Sequence, residues 1–152
     1  MKRILFGIFF ILFLYGCTTI PKSSNSFMVT IFSPAIKIND VGFLHKDNQS
    51  TNLQIYSSGV NTVNIKISNK ICINSVCYKK DEFNEKFLGT LYYDEIFEQI
   101  LDKQPIFNGK NLIKNECGFN QEIKEIKYEI CGKNMKFTNS KTRLKIIIKE
   151  LI

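Results

Sequence analysis

Residues that commonly carry catalysis or bind metals are scarce in this chain of 152 residues. It contains one histidine, His45, and the polar residues around it form no pattern typical of a Ser-His-Asp triad. Glycine-rich phosphate-binding motifs and metal-binding helix motifs are also absent from the sequence. We therefore expect no enzymatic activity, no cofactor and no metal site.

Long apolar runs are lacking except at the N-terminus. There, a basic start is followed by an apolar run over residues 4–14, which is shorter than the roughly 20 residues that a membrane span needs. Such a run, with the small residue Gly16 before Cys17, is typical of a secretion signal. Leu14-Tyr15-Gly16-Cys17 also resembles the lipobox of bacterial lipoproteins. We expect residues 1–16 to be a signal peptide that is cleaved before Cys17.

Cys17 is the predicted lipidation site. Three acyl chains on one cysteine would anchor the protein permanently, since each buried methylene contributes roughly 0.8 kcal/mol. Thr18 stands where an Asp retains many lipoproteins at the inner membrane, so the expected location is the periplasmic face of the outer membrane. Residues 17–26, rich in Ser and Asn, are interpreted as a flexible tether.

The remaining chain is long enough for one domain, over residues 27–152, and too short for two. Cleavage would leave 136 residues (152 − 16) with a net charge of +5 (19 basic against 14 acidic). A basic balance is compatible with anionic lipid, nucleic acid or an acidic partner, but the lysines are scattered among many Ile and Asn residues. We expect a monomer without a nucleic-acid partner.

Four cysteines follow Cys17, an even number that favours two disulfides in an oxidising compartment. Three pairings are possible. A two-residue turn at Asn74-Ser75 would place Cys72 opposite Cys77 at a non-hydrogen-bonded pair, where Cα atoms approach to about 4.5 Å. Cys117 and Cys131 would then pair by exclusion.

The hydrophobic pattern predicts strands, then two helices, then strands. Residues 27–38, broken at Ser33-Pro34, read as one strand or a broken pair, residues 41–45 as a short strand, and residues 53–67 as a hairpin with one apolar face. Asp81 is the predicted cap of a first helix that stops at Gly89, and a second helix is expected from Asp94 to Pro105. Strands are expected over residues 123–130 and 143–152, joined through a turn at residues 132–134.

This order of elements indicates an α+β fold with an antiparallel sheet, because no βαβ alternation is present. An apolar sheet face opposite two apolar helix faces forms either a closed core or a partly open cavity for a lipid. The periodicity of the sequence does not separate these two alternatives.

Several segments together resemble the LolB family of outer-membrane lipoproteins, which accept lipoproteins from the periplasmic carrier LolA. Residues 53–67, centred on Gly59, resemble the family's strand, turn and strand, and residues 78–89 resemble its hairpin leading into a helix. Residues 92–106 resemble the helix that closes in a W-x-L-G-x-P pattern, and residues 135–146 resemble the closing strands. The likeness spans most of the mature chain, and the order of the segments is more specific than any single motif.

The resemblance implies an incomplete antiparallel β-barrel, covered by about two helices and enclosing an apolar cavity for acyl chains. It implies that the chain accepts lipoproteins from a LolA-like carrier and helps to insert them into the outer membrane. The residues expected to line the cavity are Phe43, Leu53, Ile55, Val63, Ile65, Phe83, Phe87, Ile96, Phe97, Ile100 and Leu101.

The chain departs from the family's pattern in four ways. Ser58 stands where the family has an apolar residue at the tip of its membrane-inserting turn, which leaves Val60 as the nearest apolar candidate in the turn Ser58-Gly59-Val60. The chain has no tryptophan, appears one strand shorter after Asn134, and has two expected disulfides that typical members lack. The alternative function is therefore a structural or accessory lipoprotein that binds a protein partner in an outer-membrane assembly.

Overall fold

The computed structural model describes residues 26–151. The expected signal peptide, Cys17 and the tether up to Asn25 lie outside the described residues. Within residues 26–151, eleven strands form one sheet that is curved and unclosed, and two helices accompany it. The predicted α+β class with an antiparallel sheet is confirmed, and the curved, unclosed sheet is consistent with the predicted incomplete barrel.

The sheet consists of two antiparallel meanders that meet at its centre. The strand order is β6-β5-β4-β3-β2-β1-β11-β10-β9-β8-β7, so the first and last strands are neighbours, and β6 and β7 are the edges. The strands are β1 (Ser26–Phe32), β2 (Lys37–Lys46), β3 (Thr51–Ser57), β4 (Val60–Ile67), β5 (Ile71–Ile73), β6 (Val76–Tyr78), β7 (Leu112–Asn115), β8 (Gly118–Ile123), β9 (Ile126–Cys131), β10 (Asn134–Asn139) and β11 (Leu144–Glu150).

Alternation of apolar and polar residues explains why one face of this sheet is buried. In β1, Phe27, Val29 and Ile31 are buried, whereas the residues between them are at least partly exposed. Strands β9, β10 and β11 repeat the pattern. Since successive side chains of a strand point to opposite faces, the sheet has one apolar inner face and one mixed outer face.

The two helices lie in the long connection between the two meanders. Helix α1 spans Lys80–Leu88 and ends at Gly89, whose φ of 79° is the left-handed conformation that favours glycine. The predicted stop at Gly89 is therefore confirmed, but the predicted cap is wrong. The capping position is Lys79, whose backbone N–H donates to Glu82, and Asp81 lies inside the first turn.

Helix α2 is shorter than the sequence predicts. It spans Ile96–Leu101, follows Glu95 and ends before Asp102, three residues ahead of Pro105. A 3₁₀ turn follows at Phe107–Gly109. No helix within residues 26–151 has the length and apolar character to cross a membrane.

The C-terminal part contains more strands than the sequence predicts. Residues 27–38 form a broken pair, one of the two expected alternatives, with β1 and β2 separated at Ser33-Pro34. The separate short strand expected over residues 41–45 is wrong, because these residues continue β2. The expected single strand over residues 123–130 is instead divided between β8 and β9 by a turn, where Lys124 has a φ of 51°. Strand β7 was not predicted, because its residues LIKN lie mostly exposed at the sheet edge and carry no apolar alternation.

Candidate functional site between the sheet and the helices

The helices pack their apolar side chains against the inner face of the sheet. Nine of the eleven residues expected to line a cavity are buried in this one cluster, and Val63 packs against it partly buried. The nine are Leu53, Ile55, Ile65, Phe83, Phe87, Ile96, Phe97, Ile100 and Leu101. The structure thus brings ten of the eleven together as one apolar layer between sheet and helices.

Phe43 is the exception. It pairs with Gln54 on β3 and Ser26 on β1, whereas its neighbour Leu44 pairs with Leu53. Residues directly opposite each other in an antiparallel pair share a face, so Phe43 lies on the outer face of the sheet, away from Leu53 and Ile55. There its ring contacts Tyr56 edge-on, with the centroids 5.4 Å apart. The expectation that Phe43 lines the inner space is not met.

Aromatic rings form the contact between the two helices. The Phe83 ring lies 4.9 Å from Phe87 and 5.0 Å from Phe97, measured between centroids, and Tyr78 meets Phe87 at 5.2 Å. Phe83 and Phe97 are each about 1% exposed. These rings hold α1 to α2 and to the end of β6, so the helices are packed as a unit on the inner face.

Buried polar side chains fix the chain on either side of α2. Asn84 donates to the carbonyl of Tyr93 at 3.0 Å, and the Tyr93 hydroxyl bonds to Gln99 and accepts from the N–H of Phe107. Burial raises the pKa of the Tyr93 hydroxyl above its ordinary value of 10.0. These bonds order the loops before and after α2.

Gln121 on β8 fastens the loop that follows α2. Its amide oxygen accepts from the backbone N–H of Ile106, and its amide nitrogen donates to the carbonyls of Ile106 and Lys110, all at 2.9 Å. Gln121 is 1% exposed. The sequence reasoning missed this residue and Asn84, because a single polar residue in a strand or helix carries no signal of burial.

Polar contacts from two side chains join the C-terminal end of α2 to strands β2 and β9. Lys46 of β2 forms an ion pair with Asp102, and the Tyr128 hydroxyl lies 3.4 Å from the carbonyl of Ile100. Burial strongly raises the pKa of Tyr128. Next to them, burial lowers the pKa of Lys103, whose Nζ lies 5.4 Å from the centroid of the Phe27 ring. The polar contacts that hold α2 to the sheet are therefore few, and apolar packing supplies most of its attachment.

The turn Ser58-Gly59-Val60 joins β3 to β4 at the end of the sheet opposite Ser26. Ser58 and Gly59 both have positive φ, 50° and 80°, as a tight hairpin turn requires. Val60 is 64% exposed. The turn projects beyond the buried layer and presents an apolar side chain there.

Both predicted disulfides are present. Cys72 and Cys77 face each other across the β5–β6 hairpin with their Cα atoms 3.9 Å apart, and Cys117 joins Cys131 with a Cα separation of 4.6 Å. The first closes the edge hairpin β5–β6, and the second joins the β7–β8 turn to the end of β9, one strand in from the other edge. Their place is structural, at the edges of the sheet.

No family model, curated protein or solved structure matches this chain.

Proposed function

We propose that this protein is an outer-membrane lipoprotein that accepts lipoproteins from a LolA-like periplasmic carrier and helps to insert them into the outer membrane. Acyl chains would occupy the apolar layer between sheet and helices. The observation that carries the proposal is the arrangement itself: an open curved sheet with two helices packed on its apolar inner face. The lipobox-like stretch ending at Cys17 supports the location.

Acyl chains would enter by separating the helices from the sheet. The layer is filled by its own side chains in the described arrangement, since Ile96 and Ile100 are fully buried. Helix α2 has six residues and no side-chain cap, and short isolated helices are unstable without packing. An acyl chain that replaced the helices' apolar contacts would regain roughly 0.8 kcal/mol for each methylene that it buried.

Transfer would follow a difference in affinity and would need no nucleotide. Cargo would leave the carrier for a site that binds the same acyl chains more tightly, and a difference of about 1.4 kcal/mol gives a tenfold bias. Lipidated Cys17 would hold the acceptor at the membrane during the exchange.

A tryptophan reporter can test where acyl chains bind, because the chain contains no tryptophan of its own. The protein would start at Thr18, so that signal and anchor are absent. All strands, both helices and both disulfides lie within residues 26–151, so this protein keeps every contact of the described fold. In Phe97→Trp, a brominated acyl chain delivered from a loaded carrier should quench the fluorescence.

The matched control is Phe43→Trp, which places the same reporter on the outer face of the sheet. It should show no comparable quenching. Equal quenching of both reporters, or none in Phe97→Trp after incubation with a loaded carrier, would reject the acceptor function.

A structural lipoprotein that binds a protein partner is the second candidate. The outer face favours it, because Phe43, Tyr56, Val41 and Met28 are only partly buried and are neighbours in the strand register. This role needs no opening of the helices. Co-purification of a defined outer-membrane partner that is lost in Phe43→Ser, with no acyl quenching in Phe97→Trp, would favour it over the acceptor function.

A further inference from the structure

One end of the sheet, which we call the basic tip, combines cationic and apolar side chains. It comprises the turns at residues 33–36, 58–59, 124–125 and 140–143 and the loop at residues 89–95. The strand register brings the first and fourth turns together, because Phe32 pairs with both Lys37 and Lys145. Helix α1 ends there too: a Cβ added at Gly89 would lie 3.3 Å from both Pro34 and Thr142.

A cleft of about 810 Å³ opens in the basic tip. Its walls are formed by Phe32, Ser33, Pro34, Lys37, Gly89, Lys141, Thr142 and Arg143. Three of these residues are cations, and none of the three forms a salt bridge within residues 26–151. Asp94, Glu95 and Glu125 belong to the tip but do not line the cleft. Among the described residues, the walls of the cleft therefore carry three cations and no carboxylate.

Exposed apolar side chains gather at the same end. Six large apolar residues of the described chain are exposed, and three of them, Phe32, Val60 and Leu91, lie in or directly beside the turns and loop of the basic tip. Val76 lies on the edge strand β6, Ile113 lies on the edge strand β7, and Leu151 lies at the opposite end. The opposite end otherwise shows polar turns, such as residues 47–50 and 68–70.

The cations at the opposite end are also differently placed. Lys46 is paired with Asp102, and Lys133 is paired with Glu150. Within the described chain, the two ends of the molecule thus differ in arrangement: the tip gathers three cations without salt bridges in one cleft beside exposed apolar side chains, whereas the other end has polar turns, and its cations without salt bridges, such as Lys70 and Lys114, lie apart from one another.

We propose that the basic tip docks on an anionic phospholipid surface. Lys37, Lys141 and Arg143 contact lipid phosphates, and apolar side chains of the neighbouring turns enter the interface. Lysine and arginine near an anionic bilayer are attracted to it, and an apolar patch among them gains from burial at the headgroup boundary. The proposal rests on the membrane location in the proposed function but needs no acyl cargo.

The expected anchor is compatible with this orientation. Ser26 lies at the end opposite to the tip, and β1 covers about 20 Å between Ser26 and Phe32 at roughly 3.3 Å per residue. The nine residue steps from Cys17 to Ser26 span at most about 30 Å. This length of chain is enough for an anchor at Cys17 to share one membrane with the basic tip.

The first test measures sedimentation with vesicles, using the protein from Thr18 onwards without cargo. It should bind vesicles that contain phosphatidylglycerol at physiological salt, and only weakly those of phosphatidylcholine alone. Combining Lys37→Gln, Lys141→Gln and Arg143→Gln should weaken binding on the order of a hundredfold, because each substitution removes the attraction of one cation to the anionic lipid surface. The matched control combines Lys70→Gln, Lys114→Gln and Lys149→Gln, which remove the same charge away from the tip, and should change binding little.

The second test places a reporter in the tip. Leu91→Trp should show a blue shift of its fluorescence with phosphatidylglycerol vesicles, and Leu151→Trp, at the opposite end, should not. Equal losses in the two charge variants, or shifts at both ends, would overturn the proposal. So would binding of inorganic phosphate in calorimetry without vesicle binding, which would make the cleft a site for small anions. Acyl uptake by Phe97→Trp uses no vesicles, so failure of docking and failure of the acceptor function are distinguishable.

Discussion

Gln121 shows how one buried polar residue can hold a loop whose own sequence does little to fix it. Its amide bonds the N–H and carbonyl of Ile106 and the carbonyl of Lys110, and Ile106 is itself fully buried. Without Gln121 the buried N–H and carbonyl of Ile106 would lose these partners. The same principle applies to Asn84, whose amide bonds the carbonyl of Tyr93 before α2.

Replacing Gln121 by Met keeps the volume and removes the hydrogen bonds. We expect Gln121→Met to lower the free energy of unfolding by roughly 2–4 kcal/mol, since each buried unpaired group costs about 1–3 kcal/mol. Urea denaturation measures the change. The control is Gln54→Met on the partly exposed outer face, which should change stability by less than about 0.5 kcal/mol. Similar effects of both substitutions would show that the amide of Gln121 does not stabilise the loop.

One buried tyrosine, Tyr128, and two partly buried ones, Tyr92 and Tyr93, make stability depend on pH in the alkaline range. Burial raises the pKa of Tyr92, Tyr93 and Tyr128 above the ordinary value of 10.0. Above pH 10 the unfolded chain therefore loses these protons while the folded chain keeps them, so the free energy of unfolding falls as pH rises. Below about pH 9 both states are protonated and these groups add no slope.

The variant Tyr128→Phe should reduce that alkaline loss of stability. Its cost at neutral pH should be under about 1 kcal/mol, because the hydroxyl makes only long bonds of 3.4 and 3.5 Å to the carbonyls of Ile100 and Gln99. Urea denaturation at pH 7 and pH 11 compares the two proteins. Lys103 acts in the opposite direction, since burial lowers its pKa, but it is common to both. An identical pH dependence in the variant and the parent protein would contradict the role given to Tyr128.

At the scale of elements, the two disulfides secure hairpins near opposite edges of the sheet. The Cys72–Cys77 disulfide links residues five positions apart in the sequence and joins β5 to β6, an edge strand of three residues. The Cys117–Cys131 disulfide links residues fourteen positions apart and joins the residue before β8 to the end of β9. Short edge hairpins bury little surface, so covalent closure matters more for them than for the central strands.

Removal of the disulfide that closes the longer loop should lower the free energy of unfolding more than removal of the other disulfide. Chain entropy predicts a loss of about 3 kcal/mol for Cys117→Ala with Cys131→Ala, and about 2 kcal/mol for Cys72→Ala with Cys77→Ala. Thermal and urea unfolding of the two double variants provide the comparison, and each serves as the control of the other. The reverse order would show that packing around the β5–β6 hairpin, and not loop length, decides the effect.

At the scale of the whole molecule, the two ends of the described chain meet at the centre of the sheet. Strands β1 and β11 are neighbours, and the N–H of Leu151 donates to the carbonyl of Ser26 at 3.0 Å. The first and second meanders are joined in the sheet only through this strand pair. The pairing of β1 with β11 is therefore the contact on which formation of one continuous sheet depends.

A circular permutant tests this architecture. Joining Leu151 to Ser26 through a short flexible linker and opening the chain in the exposed turn at residues 47–50 should preserve folding, because every strand stays intact. Opening the chain between Ile146 and Ile147 instead interrupts β11 and should prevent cooperative unfolding. Circular dichroism and urea denaturation measure both outcomes. A well-folded second permutant would contradict the central role of the β1–β11 pair.

Local pattern was enough to predict several parts of this fold. Period-two alternation indicated the β3–β4 hairpin, Gly89 marked the end of α1, and the spacing of Cys72 and Cys77 around a two-residue turn predicted their pairing. Each depends on residues close in sequence, where backbone geometry directly limits which side chains can meet. Ten of the eleven residues expected between sheet and helices also share the apolar layer, because hydrophobic residues on one face of an element pack together.

Only the tertiary structure decided which distant elements are neighbours. Residues 26–32 and 144–150 both read as strands, yet nothing in either pattern states that they pair. The register of β2 placed Phe43 on the outer face, and the position of the loop after α2 buried Gln121. The gathering of Phe32, Lys141 and Leu91 at the basic tip also depends on that pairing. The physical reason is that alternation specifies which face of a strand is apolar, whereas neighbours are selected by packing of the whole chain.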